Sequence, residues 1–193
     1  MSQVAGVSDV TGTPKQDGDR YFNACVVISP TGVEHVYRKI SQTNIDKQYF
    51  ERGDHLVSFK HKGVTFGLAI CFDIWFPEII REYARRGVDV LLHPANFGGE
   101  QSLHIARARA IENAMYVVTC NRIGRELVNG IDGDYCGQSR VIDPKGNVLF
   151  SAGSASSLKT MDINLQENPN KAVIGVGLVN EISDISLHLK KQH

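Results

Sequence analysis

Gly67-Leu68-Ala69-Ile70-Cys71-Phe72-Asp73-Ile74-Trp75-Phe76-Pro77-Glu78 carries a strand into a helix. Val64 to Ile70 is an apolar run of strand length. Cys71 closes it, and Pro77 opens a helical pattern through Ile79, Ile80, Tyr83 and Ala84. A thiol therefore stands where a strand gives way to a helix. Strand ends project side chains into the crevices where ligands bind, and nearby helix amides favour a thiolate. A free cysteine is otherwise most often a small buried hydrophobe, so the neighbouring segments decide between the two readings.

Upstream, Leu56 to Phe59 and Val64 to Ile70 flank His61-Lys62-Gly63 as a hairpin that delivers Cys71. Before it, Ala24 to Ile28 reads as a buried strand, Pro30-Thr31-Gly32 as a turn and Val33 to Ile40 as the returning strand, which brings Lys39 near its far end. Ser2 to Arg20 reads as a loop or weak edge segment, being rich in Gly, Thr, Asp and Lys. Ser41 to Gly53 is polar and turn-like. Downstream, the helix after Pro77 stops at Arg85-Arg86-Gly87, and Val88 to Leu92 forms a strand ending at His93-Pro94. Asn96 to Ser102 is a loop, Leu103 to Met115 a helix, and Tyr116 to Cys120 the next strand. This alternation predicts a layered α/β architecture. Ile28-Ser29-Pro30-Thr31-Gly32-Val33 is echoed by Ile142-Asp143-Pro144-Lys145-Gly146-Asn147-Val148, two similar turns between apolar strands. Leu158 to Ile163 is expected to supply a last core strand, and the tail from 173 to 193 carries a narrow stripe of Ile182, Ile185 and Leu189 that ends in Lys190-Lys191.

The 193 residues suit one domain, and 42% apolar with 22% charged residues is ordinary for a globular chain. Twenty-one basic residues balance twenty-one acidic ones, so no global field draws the protein to nucleic acid or an anionic membrane. The start lacks a signal pattern and no apolar run approaches bilayer length, so no membrane partner and a cytoplasmic location are expected. Cys25, Cys71, Cys120 and Cys136 lack CxxC spacing, which argues against a zinc site. Cys25 and Cys120 read as core strand residues, and Cys136 as a loop residue.

The ordered set of blocks resembles the nitrilase superfamily of carbon-nitrogen hydrolases, from about Val7 to Ile163. Tyr37-Arg38-Lys39 resembles its catalytic lysine block, and Ile70-Cys71-Phe72-Asp73 with Phe76-Pro77-Glu78 its nucleophile block. His93-Pro94-Ala95-Asn96 is similar to a pocket-lining strand end, and Ala108-Arg109-Ala110-Ile111-Glu112-Asn113 to the RAxEN helix, where Glu112 is a structural ion-pairing residue. Gly137-Gln138-Ser139 and Asp143-Pro144-Lys145-Gly146 match its later GxS and DPxG segments. The resemblance implies a four-layer αββα sandwich formed by one carbon-nitrogen hydrolase domain over 1–193. The Phe72-Asp73 pair after the cysteine is closer to the amidase-like branches than to true nitrilases.

The chemistry so implied is attack by a Cys71 thiolate on an amide or N-carbamoyl carbon, followed by hydrolysis of the thioester. The Lys39 ammonium and the backbone N–H of Phe72 would stabilise the oxyanion, and Lys39 would hold the thiol pKa down. A thiol, an amine and a carboxylate suffice, so neither cofactor nor metal is expected. The family also uses a glutamate general base upstream of its lysine. Here the first glutamate is Glu34, inside the Lys39 hairpin, so the base is missing and the domain is expected to be N-terminally incomplete by about two strands and two helices. Asp46 stands at the place of a second acidic residue found in many members. It reads first as a solvated loop residue, and otherwise as a substrate-positioning group or substitute base. Trp75, His93 and Asn96 complete the expected pocket, with Arg38 a further candidate at its rim. A homo-oligomer is expected, because the family associates through its sheet-flanking helices. The competing expectation is an inactive nitrilase-like binding or assembly protein, supported by the missing base and opposed by the presence of both Lys39 and Cys71.

Overall fold

Alternating apolar residues in two hairpins place one face of each on a shared core. The computed structural model describes residues 9–128, 130–165 and 171–190. β1 (Asp9–Asp17), β2 (Arg20–Ser29) and β3 (Gly32–Arg38) form an antiparallel sheet in that order. β1 decides between the loop and the weak edge segment expected over Ser2 to Arg20 in favour of the edge strand, and residues 1–8 lie outside the described residues. Its backbone pairs with β2 from Asp9 opposite Ile28 to Asp17 opposite Arg20. Composition conceals it because an edge strand buries few side chains, and pairing rests on backbone groups that every residue carries.

A short helix α1 (Asp46–Tyr49) precedes β4 (Ser58–His61) and β5 (Val64–Leu68). A 3-10 helix (Cys71–Trp75) then leads into α2 (Pro77–Arg85), β6 (Val90–Ala95), α3 (Gln101–Asn113) and β7 (Tyr116–Asn121). β8 (Ile123–Val128) and β9 (Ile131–Cys136) form a separate hairpin, so Cys136, expected in a loop, is the last residue of a strand. β10 (Arg140–Ile142) and β11 (Val148–Ser151) are the predicted late hairpin. The larger sheet has the order β11-β10-β7-β6-β5-β4, with β5, β6 and β7 mutually parallel.

Two cores define the layers. On one face of the large sheet, Leu91, Val117 and Ile142 pack with Ile80, Tyr83 and Ala84 of α2, Ala106 and Ala110 of α3, and Ile182 of the terminal helix α4 (Leu178–Lys190). On the other face, Leu68 and Ile70 meet Cys25 and Val27 of β2 and Tyr37 of β3. The described residues thus supply helices, a sheet and a second sheet, three layers of the αββα arrangement. Gly67 lets α2 approach closely, since a Cβ there would lie 2.9 Å from the Tyr83 ring.

Leu158 to Ile163 is not a strand, and Leu158 is 96% exposed. An apolar residue in a short segment without a pairing partner gains nothing from extended backbone. Cys25 is buried as expected, but Cys120 is exposed, because its strand position faces away from the helix layer that covers Val117 and Thr119. The tail folds onto its own domain through Ile182 and Leu178. Of its basic end, Lys191 lies outside the described residues. No helix among the described residues is long and apolar enough to cross a membrane.

Candidate active site

Cys71 sits at the C-terminal side of β5 with a backbone φ of 45°. A non-glycine residue in this left-handed region carries strain of about 1–3 kcal/mol, held by the structure around it. Asp73 supplies much of that hold. Its buried carboxylate accepts hydrogen bonds from the Ile70 N–H at 2.8 Å, the Tyr37 hydroxyl at 2.7 Å and the Ser41 N–H at 2.8 Å. One side chain thereby ties the turn that bears the cysteine to the end of the strand that bears Lys39. At the far end of the 3-10 helix, Arg109 donates to the carbonyls of Ile74 and Trp75 at 3.0 and 3.2 Å and pairs with Glu112 at 2.8 Å. Glu112 is structural, as its motif implied.

Lys39 is anchored by its N–H to the Asn23 carbonyl at 2.8 Å, and its ammonium meets Asp46 Oδ2 at 2.5 Å. Asp46 also accepts from Asn23 Nδ2 at 3.0 Å and from the Thr43 N–H and hydroxyl at 2.8 Å each. Both partners are buried, Lys39 to 4% and Asp46 to 5% exposure. The solvated-loop reading of Asp46 is therefore overturned: α1 begins at this residue and turns its carboxylate inward. Burial works to raise the Asp46 pKa, but the hydrogen bonds from Lys39, Asn23 and Thr43 outweigh it and hold the carboxyl below its usual range.

Lys39, Asp46, Cys71, Phe72, Trp75 and Asn96 line one cavity of about 480 Å³, with Asn23, Thr43, Ile45, Phe50, Phe97, Ser102, Asp132, Gly133 and Tyr135. It adjoins a second of about 710 Å³ that shares Asn23, Ile45, Phe50, Asn96 and Tyr135. Trp75 is fixed at the rim by its indole N–H, which donates to the Ser102 hydroxyl at 3.0 Å. Among the described residues no glutamate lines the first cavity. No group of three or more His, Cys, Asp or Glu side chains among them is placed to hold a metal ion.

The thiol does not match the expectation of a lowered pKa. Burial pushes Cys71 up; a backbone hydrogen bond from Asn96 and the Lys39 charge act downward, and the Asp46 and Asp73 charges act upward again. The lysine's influence is offset by the carboxylate that grips it. A neutral thiol here requires a proton acceptor before it can attack.

Two expected pocket contacts lie elsewhere. His93 is 1% exposed and points beneath the cysteine turn instead of into the cavity: Nε2 lies 2.9 Å from the Cys71 carbonyl and Nδ1 3.0 Å from the Thr119 hydroxyl. Arg38 pairs with Asp17 at 2.6 Å and covers the Phe22 ring, outside the cavity. The cavity residues missed from sequence come from α1's approach and from the β8–β9 hairpin, notably Phe50, Asp132 and Tyr135. For the hairpin, Val128-Asn129-Gly130-Ile131 was the available signal, because Asn-Gly between apolar residues favours a tight turn.

A model of the carbon-nitrogen hydrolase family matches residues 1–168. A nitrilase of Pyrococcus abyssi is 36% identical over 189 residues, covering 96% of this chain and 68% of its own length. An (R)-stereoselective amidase of a Pseudomonas species is 32% identical over 165 residues, covering 83% of this chain and 59% of its own. A glutamate-to-glutamine mutant of the amidase of Nesterenkonia sp. AN1, solved with acrylamide added to its active-site cysteine, superimposes with a TM-score of 0.75 at 26% identity over 84% of this chain and 66% of that one. The chain thus spans roughly three fifths to two thirds of the length of these relatives.

Proposed function

Because this chain belongs to the carbon-nitrogen hydrolase family, we propose that it hydrolyses small amides or N-carbamoyl amines through a thioester on Cys71. The observation that carries the reading is the convergence of Cys71, Phe72 and the buried Lys39–Asp46 pair on one cavity. In the proposed reaction Cys71 Sγ attacks the amide carbon as its proton leaves. The carbonyl oxygen takes the negative charge, and the Lys39 ammonium and Phe72 N–H stabilise it. Collapse expels ammonia or an amine, whose nitrogen takes up the proton that the thiol gave up, and water then cleaves the thioester to the free acid and the regenerated thiol. Asp46 aims Lys39 and keeps it from wandering; being held ionised by three partners, it is a weak base.

Trp75 and Asn96 are read as substrate contacts, since both border the same space as Cys71. His93, expected as another, is reassigned below. The proposed assembly is a homo-oligomer, supported by half-exposed apolar residues on the helix layer, Ile111 at 45% and Ile185 at 50%. A cytoplasmic location and the absence of nucleic-acid and membrane partners complete the proposal.

A specific observation favours the second reading, a nitrilase-like binding or assembly protein. The thiol is raised by burial, and the Asp46 carboxylate beside Lys39 is engaged by Lys39, Asn23 and Thr43. The test is ammonia release from a panel of small amides and N-carbamoyl amines, run beside Cys71→Ala. Release that vanishes in the variant supports the hydrolase; equal background in both, with Cys71 still alkylated by iodoacetamide, supports the binding protein.

A further inference from the structure

We propose that His93 is a positioning residue that orients the Cys71–Phe72 peptide, so that the Phe72 N–H faces the cavity as the oxyanion donor. The inference rests on the amidase reading above but concerns a residue that the reaction scheme does not use.

The contact made by His93 is to the backbone, not to the thiol. Nε2 lies 2.9 Å from the Cys71 carbonyl oxygen. A carbonyl only accepts, so Nε2 carries the hydrogen. On the other side of the ring, Nδ1 lies 3.0 Å from the Thr119 hydroxyl. The neutral ring then accepts from Thr119 and donates to Cys71, and the second bond fixes the tautomer that the first needs. Both anchors are rigid. His93 lies on β6 and Thr119 directly opposite on β7, so the ring is held between two parallel strands of the sheet core.

The Cys71 carbonyl and the Phe72 N–H belong to one planar amide. In a trans peptide these groups point in opposite directions, so a bond that draws the carbonyl beneath the turn sends the N–H outward. Phe72 lines the cavity beside Cys71 and Lys39. No acceptor among the described residues takes its N–H. The 45° φ of Cys71 sets the same peptide at an angle that a relaxed backbone would leave. A hydrogen bond from a buried ring is the natural brace for such a turn, and donation to the carbonyl also polarises the amide and strengthens its N–H as a donor.

The test compares the unmodified chain with His93→Phe, which keeps an aromatic ring but removes both nitrogens, and His93→Gln, which restores a side-chain N–H. Three readings are taken: kcat and KM for amides, the rate of Cys71 alkylation by iodoacetamide, and the affinity for butyraldehyde, whose adduct with the thiol places an oxygen at the oxyanion position. The expected result for His93→Phe is a fall in kcat of about 10- to 100-fold, less than the ~10²–10³ seen when an oxyanion donor is removed outright. KM and the alkylation rate should stay within about twofold, while aldehyde affinity falls by about the same factor as kcat/KM. His93→Gln should recover part of both losses. Aldehyde affinity equal in the unmodified chain and His93→Phe would overturn the proposal, as would a parallel loss of alkylation and aldehyde binding in both variants. If the unmodified chain releases no ammonia, the amidase reading fails, yet the aldehyde-to-alkylation comparison still decides the role of His93.

Discussion

Asp46→Asn removes one charge from a buried pair and nothing from the volume of the site. Lys39 and Asp46 are 4% and 5% exposed and meet at 2.5 Å, so the variant leaves an ammonium buried without its counter-ion. Removing one member of a buried pair typically costs about 3–5 kcal/mol, more than the pair's net worth, because the remaining charge is stranded. The expected loss in urea unfolding at neutral pH is therefore about 3–5 kcal/mol. The sign of the pH dependence follows from the lowered Asp46 pKa. A carboxylate depressed in the folded state contributes stability above its unfolded pKa of about 4, and loses it as pH falls through the folded value. The gap between unmodified chain and variant should accordingly narrow below about pH 4. The same change removes a negative charge that pushes the Cys71 thiol upward, so the midpoint of iodoacetamide alkylation against pH should move down in Asp46→Asn and up in Lys39→Met. A stability loss under about 1 kcal/mol, or a thiol midpoint that rises in Asp46→Asn, would refute the reasoning.

Cys71→Gly should be more stable than Cys71→Ala by about 1 kcal/mol, because only glycine adopts the 45° φ without strain; paired thermal unfolding curves check the order. Gly67→Ala should lose about 1–3 kcal/mol in urea, since the new methyl meets the Tyr83 ring at 2.9 Å. Ile182→Ala should cost about 2–4 kcal/mol and raise proteolysis of α4, because that side chain is 8% exposed in the helix-side core.

Where a segment buries a periodic apolar face, its place was legible from sequence alone. The two hairpins, the Pro77 helix, the alanine-rich helix and the parallel strands between them all carry such a face. Lys39 and Cys71 were legible because each closes one of those strands. β1 is legible only as a loop or weak edge segment, because its pairing is made by backbone groups that leave no side-chain signature. Asp46 is legible as a candidate pocket residue but not as a buried one: polarity along Ser41 to Gly53 suggests exposure, while the lysine that meets this carboxylate comes from the end of the strand before it. His93 shows the opposite case. Its place at a strand end suggests a pocket contact, but its direction depends on Thr119, a neighbour only through the parallel register of β6 and β7. The raised thiol likewise reflects burial and three competing charges that no spacing rule combines.

The most direct test of Cys71 as nucleophile is acid-quenched peptide mass spectrometry during turnover of butyramide. The expected result is a butyryl adduct on the peptide bearing Cys71, formed at the rate of ammonia release and absent from Cys71→Ala. Ammonia released at an undiminished rate by Cys71→Ala, with no acyl adduct on the unmodified chain, would contradict it.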